Sequence, residues 1–250
     1  MTDGYYNVIM TTQDEVKSGK AALDELVKQS DILVATPETI EKMQKMGYPI
    51  GTKQITYGEY LDNLFAKRRA MAGANITKLP MLEESVSNAT VTALYEEMKE
   101  CFILGIPGAA IILALILLEL SLKYKIYRER LKQDPNCRWD DIEALDFRAS
   151  VVNLRKRQVL SRADKIQLDK FNDSVRNMYI HYKIKEIIDG TIAAELPEFN
   201  VATGKVVVHK DVDATKYPSI WFSAKRAVDR ARIIEITSFS VDWVNKLLGD

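Results

Sequence analysis

The chain has 250 residues, 47% of them hydrophobic and 28% charged, with 35 basic side chains balancing 35 acidic ones. Such a composition excludes a disordered polymer, and the length suits one large domain or one domain with an extension. The even charge gives no hint of an acidic partner, which leaves only the local distribution of charge to inform on one.

From the N-terminus, MTDGYYNVIM has no basic region followed by an apolar core, so no signal peptide is expected. Residues 12–29 pattern as an amphipathic helix, with Val16, Leu23, Leu26 and Val27 on one side. Thr36-Pro37-Glu38 resembles a cap with proline in the first turn of a short helix ending at Gly47. Residues 57–72 predict a third helix. Residues 73–87, with Gly73, Pro80 and several small polar residues, predict a linker. An N-terminal helical extension over 1–85 and a helical bundle domain over 86–250 follow.

Within the bundle, residues 89–102 lead into an apolar stretch, and Pro107 fits the first turn of a helix reaching Lys132. Phe102 to Leu118 carries no charge over 17 residues, near the length that spans a bilayer. Gly105, Pro107 and Gly108 interrupt it and Glu119 follows, so burial at the centre of a bundle is preferred to a membrane span. Asp134-Pro135-Asn136 ends that helix. The next runs from Asp146 to Leu160. Ser161 with Asp164 three residues on opens another, predicted to reach Asp189 before Gly190. Residues 199–208 suggest a small β-hairpin around Thr203-Gly204, and a last helix spans 219–248. The class is all-α, with a minor hairpin.

Cys101 and Cys137 lack metal-ligand spacing and read as reduced thiols of a cytoplasmic protein. The sequons at Asn75 and Asn88 read as chance matches. No phosphate-cradling glycine loop, zinc spacing or serine-nucleophile motif is present, and no cofactor or metal site is expected. His209 near Asp211 and Asp213 is a weak metal pattern.

Arg176-Asn177-Met178-Tyr179-Ile180-His181 contains one of only two histidines. Leu168, Phe171, Val175, Met178 and Tyr182 form one apolar stripe along its helix, and Ile180, Ile184 and Ile187 form a second. Asn177 and His181, four apart, share a face, and the Arg176 side chain is long enough to curl towards it. From the residues alone, an interface helix whose polar residues satisfy each other accounts for this pattern better than a catalytic site does.

The hexapeptide resembles the hallmark of the HEPN superfamily of helical bundles: arginine, a polar residue often asparagine, three variable residues, then histidine. The similarity extends through NLRKRQVLSRADKIQLDKFNDSVRNMYIHYKI, through GIPGAAIILALILLELSLKY with its Glu119, and through AKRAVDRARIIEITSFSVDWVNKLL, covering about residues 90–250. The resemblance implies a metal-independent endoribonuclease, a toxin or defence effector, acting as a homodimer whose two motifs share one cleft. Arg176 would hold phosphate oxygens and His181 would move protons. Asn177 would orient His181 or touch phosphate, and Glu119 would fix Arg176 or the imidazole. Some members carry a tyrosine two residues after the histidine that a partner enzyme modifies. Here Tyr182 comes one residue after and Lys183 occupies that place, so this regulation is not carried over. Other relatives are silent scaffolds, which keeps an interaction module as the alternative. Arg155, Lys156, Arg157 and Arg162 are candidate RNA-phosphate contacts, as is the cluster Lys225, Arg226, Arg230 and Arg232, although such runs are more often solvated faces. An antitoxin or regulatory protein would be a further partner.

Overall fold

The computed structural model describes residues 5–11, 33–35, 41, 45, 50–200 and 205–249. The expected helix over 12–29 and the turn at Thr203-Gly204 lie outside the described residues, as does the helix expected over 36–47 except for Glu41 and Lys45, which are helical. The chain divides into two compact units, one made of Arg69–Asp189 with Ala224–Asp250, the other of Met1–Arg68 with Gly190–Ser223.

The second of these contains two antiparallel sheets. Strand β1 (Tyr5–Thr11) lies between β2 (Leu33–Ala35) and β3 (Ile50–Thr56), with Val8 opposite both Val34 and Lys53. These strands add a sheet where only helices were predicted. Their β-branched and aromatic residues favour it, but the pairing joins segments far apart in sequence. The hairpin is present and longer than predicted: β4 (Ile192–Asn200) pairs with β5 (Lys205–Asp213) from Ile192↔Asp213 to Asn200↔Lys205.

The other unit is helical and carries the motif. Helix α1 (Tyr57–Ile76) begins in the sheet unit and ends here. The segment after it is irregular, as predicted, but it is tied down. Tyr95 donates to the Pro80 carbonyl at 2.9 Å, Asn245 donates to the Met81 carbonyl at 3.1 Å, and Val86 is buried. Asn88 caps α2 (Ala89–Ile103) by accepting from the Val91 amide, which gives one sequon asparagine a structural role. The other, Asn75, donates to the carbonyls of Phe102 and Ile103 at the end of α2.

A turn with Gly105 at φ 67° leads into α3 (Pro107–Leu131), which starts on its proline as predicted. Ala110, Ile111, Ala114, Leu115, Leu117, Leu118, Leu122 and Ile126 of α3 are wholly inaccessible, so this helix is the core of the unit. At roughly 1.5–3 kcal/mol for each large side chain, it dominates the hydrophobic stabilisation. Among the described residues, no helix is long and apolar enough to cross a membrane.

The short α4 (Asp140–Glu143) follows, then α5 (Phe147–Lys156), capped by Asp146 and packed on α3. Next come α6 (Arg162–Phe171), a π-helical turn (Asn172–Arg176) and α7 (Asn177–Ile180), forming one continuous helical run. The run stops at Ile180 instead of reaching Asp189, and a separate short helix, α8 (Ile184–Ile187), follows. The long α9 (Trp221–Leu248) closes the unit, with Phe239 stacked on Phe171 at 3.9 Å between ring centroids.

Candidate functional site

The motif sits where the helical run ends. Its start is fixed by a capping box: Ser161 Oγ accepts from the Asp164 amide at 3.1 Å, and the Asp164 carboxylate accepts from the Ser161 amide at 2.9 Å. Lys246 of α9 donates to the same carboxylate at 2.6 Å. Leu168, Phe171 and Val175 face the core as predicted. The stripe then continues at Tyr179, which is 2% exposed, whereas Met178 is only partly covered and Tyr182 points outward. Ile180, Ile184 and Ile187 form no second helical face, because the helix has ended and Ile187 is buried within its own chain.

The π-helical turn ends on Arg176. Such widened turns are frequent at functional sites. Here the turn carries the buried Asn172, whose amide donates to Asp173 at 3.0 Å while its carbonyl oxygen has no partner among the described residues. Arg176 donates through Nη2 to Glu119 Oε2 on α3, and its guanidinium carbon lies 5.2 Å from the centroid of the Phe147 ring on α5. Its Nη1 reaches Asn177 Oδ1 at 3.5 Å, the long limit of a hydrogen bond. The side chain is 13% exposed, and its Nε is buried with no partner among the described residues. Glu119 Oε1 also accepts from Lys123 at 3.1 Å, and the same ammonium donates to the Glu143 carbonyl at 2.9 Å. One carboxylate therefore balances two cations, leaving local positive charge on a guanidinium braced by three elements.

His181 is placed differently. It caps the helix, and its amide makes the last helical bond, to the Asn177 carbonyl at 3.2 Å. Its side chain is exposed and has no hydrogen-bonding or ion-pairing partner among the described residues. Tyr182, at φ 49°, turns the chain. Its amide bonds to the Tyr179 carbonyl at 3.2 Å and the Lys183 amide bonds to the Met178 carbonyl at 2.8 Å, the two bonds of a Schellman cap. Glycine ordinarily holds the left-handed position. The structure thus gathers Arg176, Asn177 and Glu119 and presents His181 to solvent at the end of the same run.

Sequence reasoning did not foresee Phe147 and Lys123, or a buried cluster next to the motif. The Tyr179 hydroxyl donates to Asp229 Oδ1 at 2.9 Å, and Lys225 donates to Asp229 Oδ2 at 2.6 Å. Burial first, and then the Asp229 carboxylate, push the Tyr179 hydroxyl far above its ordinary pKa, so it remains a donor. The i,i+4 spacings of Glu119–Lys123 and Lys225–Asp229 were the available signal. In the sequence, Lys225 reads only as part of a basic cluster with its neighbours.

Arg155 and Lys156 are exposed in the last turn of α5, and Arg162 is exposed in the first turn of α6. Arg157 is held between Asn153 Oδ1 at 2.8 Å and Gln133 Oε1 at 3.0 Å, so two of its donors serve the fold. In the sheet unit, Asp213 caps the turn at Thr215 and the His209 ring approaches Tyr217 at 6.2 Å. Among the described residues, no three His, Cys, Asp or Glu side chains gather where a metal could be held. Against protein-family models, curated proteins and solved structures, the chain has no match.

Proposed function

We propose that this chain is a metal-independent endoribonuclease that cleaves RNA by attack of the 2′-hydroxyl, at a site completed by a second copy, and that it serves as a cytoplasmic toxin or defence effector. The observation that carries this reading is the braced Arg176 at the start of the motif and, five residues on, an exposed histidine whose side chain has no hydrogen-bonding partner among the described residues. A guanidinium fixed by Glu119 and Phe147 offers preorganised charge to a crowded phosphate. His181, exposed at the helix end, leaves its imidazole open to a substrate.

The chemistry needs two proton transfers. A base removes the 2′-hydroxyl proton, the oxygen attacks phosphorus, and an acid protonates the departing 5′-oxygen, leaving a 2′,3′-cyclic phosphate and a 5′-hydroxyl. One motif histidine per chain supplies one of these groups, which is the reason for invoking a homodimer. Asn177, next to Arg176 and one turn before His181, suits contact with phosphate or imidazole. Arg155, Lys156 and Arg162 would extend the phosphate track. A toxin of this kind calls for an antitoxin or other regulatory protein.

One observation favours a second reading, a silent interaction module. Arg176 already has an ion-pair partner and an aromatic floor, so it also works as a purely structural brace joining α3, α5 and the motif helix. Incubating the chain with tRNA and single-stranded RNA in EDTA separates the two. The ribonuclease reading predicts cleavage with 2′,3′-cyclic ends, unaffected by the chelator. RNA left intact by a folded dimer contradicts it and favours the module.

A further inference from the structure

Beside the motif lies a recess of about 480 Å³. It is formed by Gly108, Ile112 and Leu113 of α3, by Tyr179 and Tyr182, and by Lys225 of α9. Its lining is largely apolar, and Lys225 is its one charged residue. Small-molecule sites have this character: an apolar cavity of roughly 300–1,000 Å³ with few convergent polar groups.

The ammonium is held in place. Lys225 Nζ is bonded to the buried Asp229 carboxylate and lies 5.3 Å from the Tyr179 ring centroid and 5.6 Å from that of Tyr182. Gly108 makes room for the pair, since a Cβ there would stand 3.0 Å from Asp229 Oδ2 and 3.6 Å from Lys225 Nζ. Tyr182 contributes the outer wall. It is 53% exposed and sits on a left-handed backbone that glycine would adopt more easily. A half-exposed ring kept on strained backbone, directly after His181, is the arrangement of a stacking platform.

We propose that this recess is a base-binding subsite of the ribonuclease described above, on whose substrate class it rests, and that it selects guanine next to the scissile phosphate. Tyr182 stacks on the base, and Ile112 and Leu113 exclude water from its other side. Lys225 offers donors only. Guanine presents O6 and N7 as adjacent acceptors, whereas adenine places an amino donor beside N7. The ammonium therefore donates to the first edge and meets a competing donor on the second.

Binding is measured without requiring cleavage. Wild type and His181→Ala are titrated calorimetrically with the 3′-monophosphates of guanosine, adenosine, cytidine and uridine, and cleavage sites are mapped on a mixed RNA in parallel. The expected result is that both proteins bind the guanosine nucleotide about tenfold or more tightly than the adenosine one. Tyr182→Gly should weaken that binding about tenfold, the scale of one base–aromatic stack, with a melting temperature no lower than wild type. Lys225→Met should flatten the selectivity, and Tyr182→Gly keeps the test decisive if Lys225→Met fails to fold over the stranded Asp229. Equal affinity for all four nucleotides, or Tyr182→Gly binding like wild type, would overturn the subsite. So would a Tyr182→Gly protein that loses self-association with nucleotide binding unchanged, because a second copy would then cover the recess. RNA cleavage without base preference removes the subsite and leaves the ribonuclease. Guanosine-selective binding with no cleavage of any RNA does the reverse.

Discussion

Tyr182 occupies a backbone conformation that costs a side-chain-bearing residue about 1–2 kcal/mol. Replacing it with glycine relieves that strain and removes a cation–π contact with Lys225 worth about 0.5–1 kcal/mol. The expected outcome is a melting temperature equal to wild type or a few degrees above it. A marked fall in calorimetry would show that the ring holds the helix end together. At this scale much was legible. The spacing of Arg176, Asn177 and His181 singled them out, and Glu119, expected to fix either the arginine or the imidazole, lies against the arginine. Phe147 was not legible, because a ring beneath a guanidinium is a meeting of two elements that leaves no local pattern in either.

The helix boundaries show why some elements were legible and others were not. Among the described residues, three helices end in the same cap, with left-handed residues Gly105, Gln158 and Tyr182. Their closing bonds run from Ile106 to Cys101, Val159 to Leu154, and Lys183 to Met178. Only the first has the glycine that marks such an end in a sequence. The predicted helix ends therefore ran on to Leu160 and Asp189, and the apolar residues after Tyr182 were placed on a helical face that does not exist. Starts were clearer, because Asn88, Pro107, Asp146 and Ser161 carry their chemistry in the residue type. The Ser161 cap also makes a testable claim about pH. Burial pushes the Asp164 carboxyl up, but Lys246 and the Ser161 donors outweigh it and hold the group below its ordinary range. Stability from a lowered carboxyl is fully present above the unfolded value near pH 4 and is lost as pH falls through the folded value. Asp164→Asn should therefore be less stable than wild type at neutral pH, with the gap closing below about pH 4 in denaturant titrations. A gap that stays constant into acid would contradict the assignment.

For the whole molecule, the apolar α3 decided the class. A helix without a polar face has to be surrounded, and its neighbours α2 and α5 were patterned clearly enough to surround it. Leu115→Ala should cost roughly 2–5 kcal/mol in chemical denaturation, as expected for a fully buried leucine. A cost below about 1 kcal/mol would contradict its central place. The sheet of β1, β2 and β3 was not legible, because strand pairing across some forty residues has no periodicity of its own. The same holds for a unit assembled from Met1–Arg68 and Gly190–Ser223, which no contiguous division of the chain describes. The central claim is that His181 moves protons at a site shared by two copies. It is tested most directly by comparing wild type with His181→Ala on one RNA panel in EDTA, with circular dichroism and light scattering matched. The expected result is 2′,3′-cyclic ends from wild type alone, with a loss of about 10²–10⁴-fold or more in the variant. Equal cleavage by both proteins, or none by either while both are folded and dimeric, would contradict it.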